Sequence, residues 1–96
     1  MQNARPLLAV HLSTSADYDK LIRLRRMALA DFCHNYGVSE EIREVLDKNG
    51  LRNVKRLLEV SVHELQEMGC TPDDRQDIKR ALEKYFEANG LETMFY

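Results

Sequence analysis

A compact, all-α five-helix bundle is predicted by three observations on this chain. Apolar residues recur at helical spacing along most of its length. Cap and stop signals punctuate the apolar stripes at regular intervals. No alternating strand pattern, repeat or low-complexity segment competes with them.

The first and longest stripe runs from Asp17 to Tyr36. It places Tyr18, Ile22, Leu29, Phe32, Cys33 and Tyr36 on one face, widened by Leu21, Leu24 and Ala28. Ser15 is its expected N-cap, with Asp17 and Asp19 near the positive helix end, and Gly37 is its stop. Ser39 opens a second helix, which has Glu40 and Glu41 in the first turn, Ile42, Val45 and Leu46 inward, and Asn49-Gly50 at its end.

Two short helices come next. Asn53 caps Val54 to Glu59, whose inward residues are Val54, Leu57 and Leu58. Ser61-Val62-His63-Glu64 has the spacing of a capping box, in which hydroxyl and carboxylate satisfy each other's free amides. That helix carries Val62, Leu65 and Met68 and ends at Gly69. The fifth helix has Thr71 as cap, Pro72 where a missing N–H costs nothing, and Asp73 and Asp74 at the positive dipole end. Ile78, Ala81, Leu82, Tyr85 and Phe86 form its inward stripe until Asn89-Gly90. The helical domain thus covers residues 15–90. Residues 1–14 and 91–96 lack such signals and read as a loosely held N-terminal arm and C-terminal tail. The expected core is Leu24, Ala28, Phe32, Val45, Leu46, Leu57, Leu58, Leu65, Ile78, Leu82 and Tyr85.

With 96 residues the chain makes one domain with one modest core, too small for a deep substrate cleft. A net charge of −2 argues against a general polyanion binder. The charge is unevenly spread, since residues 1–38 set Arg5, Lys20, Arg23, Arg25 and Arg26 against only Asp17, Asp19 and Asp31. Cys33 and Cys70 are expected to be buried and reduced. The apolar run from Pro6 to Leu12 is far too short to cross a bilayer, and no leader pattern surrounds it. No membrane insertion and an intracellular setting, cytoplasmic or nuclear, follow as expectations.

Catalytic chemistry finds little support. His11, His34 and His63 have no metal-ligand spacing with each other or with the cysteines. Cys33 and His34 are neighbours on a helix and point apart, which defeats a thiolate–imidazole pair. A Gly-rich phosphate loop is missing. The expectation is a protein without enzymatic activity, metal, cofactor or small-molecule substrate. The charged clusters read first as solvated surface and second as docking surface. The basic ones are Arg23, Arg25 and Arg26, then Arg52, Lys55 and Arg56, then Arg75, Lys79, Arg80 and Lys84. The acidic cluster is Glu40, Glu41, Glu44 and Asp47.

The helix order resembles that of a sterile alpha motif (SAM) domain over Tyr18 to Phe86. The residues carrying the resemblance are Asn49-Gly50-Leu51, the run from Leu57 to Gly69, and Arg75 followed by Ile78 and Leu82. The chain differs from many members in having no Trp and in placing Asp73-Asp74 before the arginine. The resemblance implies an adaptor or oligomerisation domain, joining a mid-domain surface of one copy to the start of the last helix of the next. Carried over, the end-helix surface is Gly69, Cys70, Asp74, Arg75, Lys79 and Arg80. The mid-domain surface is Glu44, Asp47, Lys48, Glu59 and Glu64. The partner would be a protein, either a second copy or another SAM-like domain. The alternative is a nucleic-acid-binding helical domain using Arg52, Lys55 and Arg56 or the first-helix arginines. Asp73, Asp74 and Asp77 disfavour phosphate at the last helix.

Overall fold

Cap chemistry builds most of this fold. The computed structural model describes residues 5–94, in which six helices and one two-stranded sheet form a mostly helical globule. The elements are β1 (Ala9–His11), α1 (Ser15–Leu24), α2 (Leu29–Tyr36), α3 (Glu40–Lys48), α4 (Val54–Glu59), α5 (Val62–Glu67), α6 (Pro72–Ala88) and β2 (Glu92–Met94). Ser39, Asn53, Ser61 and Thr71 each cap a helix by accepting a backbone N–H three residues on. Both Ser61–Glu64 and Thr71–Asp74 close as reciprocal capping boxes. Gly37 and Gly69 follow α2 and α5 at φ 79° and 100°, a backbone region that favours residues without a Cβ.

The long first helix is the main correction. It is two helices, broken at residues 25–28, although Leu-Arg-Arg-Met-Ala-Leu-Ala is made of good helix formers. The break satisfies amides that helix starts leave orphaned. Val54 and Lys55, opening α4, donate to the Met27 and Arg25 carbonyls, both at 2.9 Å. In return Leu29, opening α2, donates to the Arg52 carbonyl at 2.9 Å. The Tyr85 hydroxyl, from α6, donates to the Leu24 carbonyl at 2.6 Å. A continuous helix would forfeit these bonds, so long-range pairing overrides local propensity. The cap of α1 is also one residue earlier than expected, at Thr14.

The terminal segments differ too. Where the sequence reads as an arm and a tail, β1 pairs antiparallel with β2, Val10 opposite Thr93. Pro6 bridges to Ser61, and the Val62 amide donates to the Arg5 carbonyl at 2.8 Å. Leu7, Leu8 and Leu91 are buried in the core. Residues 1–4 and 95–96, the outer parts of the arm and tail, lie outside the described residues.

The core centres on Phe32, Leu46, Leu51, Val54, Leu57, Val60, Leu65, Ile78, Leu82 and Phe86, all under 2% or at 2% exposed. Expected core residues Leu24, Val45 and Leu58 are only half-buried, and Ala28 is exposed at the helix break. Tyr18, placed on the first stripe, is 54% exposed. Ser61 is itself buried, so its hydroxyl is in a position where a lost cap is costly. Ser61→Ala is expected to destabilise the fold by about 0.5–2 kcal/mol, read as a lower denaturant midpoint. An unchanged midpoint would remove the box as a support of α5.

Candidate functional site

The start of α6 is held on three sides. The Thr71–Asp74 box fixes its first turn, with bonds of 3.0 and 3.1 Å. Arg75, half-buried, reaches back to donate to the Cys70 carbonyl at 2.9 Å, which ties α6 to the turn after α5. The N-terminal segment then runs alongside. The result is a shallow groove of about 220 Å³ lined by Arg5, Pro6, Leu7, Val62, Pro72, Arg75, Gln76 and Lys79.

Arg75 and Lys79 therefore line one groove, one helical turn apart, and Arg5 adds a third cation to it. Arg5 was missed because only the tertiary course of the N-terminal segment brings it there. No local signal in the sequence could have found it. Arg80 lies in a different depression, with Tyr36, Gly37, Asp77, Ala81 and Lys84, and sits 3.9 Å from the Asp77 carboxylate.

Glu44 and Asp47 lie on α3, which packs chiefly against α2, and both are exposed. Asp47 is 3.7 Å from Arg52. Other carried-over residues are committed to internal structure. Glu64 and Asp74 belong to the capping boxes, Cys70 is buried, and Glu59 pairs with Lys55 at 4.0 Å and Arg56 at 2.9 Å. The Glu64 carboxyl is held below its ordinary pKa by hydrogen bonds from Ser61, as its capping role requires.

Nucleophile chemistry is disfavoured by burial. Desolvation pushes the Cys33 thiol up to about 11, and raises Cys70 as well. Both are free thiols. His63 is exposed and lies 3.3 Å from Glu67 on the same short helix. Among the described residues, no group of three or more His, Cys, Asp or Glu side chains is clustered for a metal ion. Among the same described residues, no helix is long and apolar enough to cross a membrane. At about pH 8 a disulfide reagent such as DTNB is expected to spare both thiols in the folded protein, since thiolate and access are required. Both should react on denaturation. Rapid reaction of the native protein would show that one of them is accessible and ionised.

The chain matches no family model, no curated protein and no solved structure.

Proposed function

We propose that this chain is a non-catalytic protein–protein interaction module of the SAM-like kind, docking through the groove at the start of α6. The supporting observation is the convergence of Arg5, Arg75 and Lys79 on one groove beside a doubly fixed corner. A rigid cationic recess of this size suits carboxylate side chains of a partner, and rigidity limits the ordering cost of binding. Helices α2 to α6 form a consecutive set of five ending in the longest, although α2, at 8 residues, is not the long first helix of the resembled order.

The partner is a second copy of the chain or another SAM-like domain. In a second copy the exposed α3 carboxylates, Glu44 and Asp47, supply the complementary charge. Two different surfaces joined head to tail make an open contact, so assembly grows with concentration. Size-exclusion chromatography with light scattering tests this over a concentration series. The mass should rise above the 11.2 kDa of one chain and fall back as salt is added. A constant monomer mass up to about 1 mM, the weak end of specific affinity, would exclude assembly with itself.

A further inference from the structure

The break between α1 and α2 has a second consequence, because it joins two basic clusters that are far apart in sequence. Arg23 is in the last turn of α1, and Arg25 and Arg26 follow it. The Arg25 carbonyl accepts from the Lys55 amide at 2.9 Å, and Ala28 bridges to Asn53. Arg52, Lys55 and Arg56 are thereby set against Arg23, Arg25 and Arg26. We propose that these six residues form one cationic surface that binds the phosphate backbone of a single-stranded nucleic acid. This goes beyond the α6 groove and uses none of its residues.

The charge is poorly compensated within the fold. Among the described residues, the side chains of Arg23, Arg25 and Arg26 make no ion pair or hydrogen bond. Asp47 lies near Arg52, and the single Glu59 carboxylate serves both Lys55 and Arg56. Glu64 adds a weaker field at Arg56, and Asp19, one turn before Arg23, makes no ion pair with it. A chain of net charge −2 thus sets six of its 14 lysines and arginines in one place.

The chemistry of the patch favours phosphate. Five of the six residues are arginines, whose planar forks bind phosphate oxygens in pairs. Tyr18, 54% exposed on α1, lies two turns before Arg25 on the same helical stripe and offers a stacking platform for an unpaired base. A lipid surface is a poorer fit. Among the described residues the exposed large hydrophobics are Leu12, Tyr18 and Met94, and of these only Tyr18 is on α1, so no apolar face of α1 accompanies the charge.

Fluorescence polarisation with labelled uridine and thymidine single strands of about 12 nucleotides tests this between about 50 and 200 mM salt. Log affinity should fall linearly with log salt, with a slope of about 0.7 per phosphate contact. Arg25→Gln with Arg26→Gln, and Lys55→Gln with Arg56→Gln, should each lower that slope by roughly 1.4. Arg25→Lys with Arg26→Lys should preserve it. The Arg25 junction is made by its carbonyl, so these variants keep it, and thermal melts by circular dichroism verify folding. Tyr18→Ala should weaken binding about five-fold or more without changing the slope. Failure to bind either strand at about 50 mM salt overturns the proposal, as does a slope that only one of the two Gln pairs alters. Equal affinity for a polyglutamate peptide of matched charge also overturns it, since the surface would then serve acidic chains in general. A positive result with a monomeric protein would leave this surface standing and exclude only the docking of the α6 groove onto a second copy.

Discussion

Phe32→Ala is expected to destabilise the protein by about 3–5 kcal/mol, the range for removing a large buried aromatic. Phe32 is completely buried, and its ring lies 5.8 Å from those of both Tyr36 and Tyr85. Tyr85 in turn lies 5.2 Å from Phe86, so the cluster is the seam between α2 and α6. Truncation would remove burial, leave a cavity and free Tyr85, the residue whose hydroxyl holds the end of α1. Denaturant unfolding measures the effect as a lower midpoint at unchanged slope. A loss below about 0.5 kcal/mol, the scale of surface substitutions, would mean that the seam is misplaced. Leu58, ranked with Leu82 on sequence pattern, is only half-buried and should lose less than the completely buried Leu82.

Leu8→Ala should cost about 2–5 kcal/mol, although it lies in a segment whose sequence reads as a loose arm. Its side chain is 2% exposed and packed in the core, next to a segment whose backbone pairs with Ser61 and Val62. Leu12, at 37% exposure and just beyond β1, is the internal comparison and should change stability by no more than about 0.5 kcal/mol. Equal and small effects at both positions would return residues 5–14 to the status of an arm. The same denaturant titration decides it.

These two substitutions mark the line between what sequence carries and what it does not. Helices α3 to α6 are legible because their starts are set by residues three positions apart. Ser61 and Glu64 need no other part of the chain to declare a helix, and neither do Thr71, Pro72 and Asp74. The break at 25–28 is different in kind. It depends on Arg52, Val54, Lys55 and Tyr85, and those contacts exist only after folding. The short strands are hidden for the same reason, since three residues of β1 find their partners more than eighty positions away. At the candidate site, the proximity of Arg75 and Lys79 follows from helical spacing alone. Arg5 joins them through the pairing of the N-terminal segment, and the two basic clusters of the phosphate surface meet only because of the helix break.

The central claim is that the α6 groove docks the acidic face of α3. It is tested most directly by two variants that each block one half of that contact. Arg5→Glu with Lys79→Glu reverses the groove while sparing the Arg75–Cys70 hydrogen bond. Glu44→Lys with Asp47→Lys reverses the acidic face. Light scattering on each variant alone and on their equimolar mixture supplies the measurement. Each alone should remain at the 11.2 kDa of a single chain, and the mixture should assemble above it, because the intact groove of one variant meets the intact acidic face of the other. A mixture that stays monomeric while the wild-type chain assembles would contradict the account, and would place the contact on other surfaces of the domain.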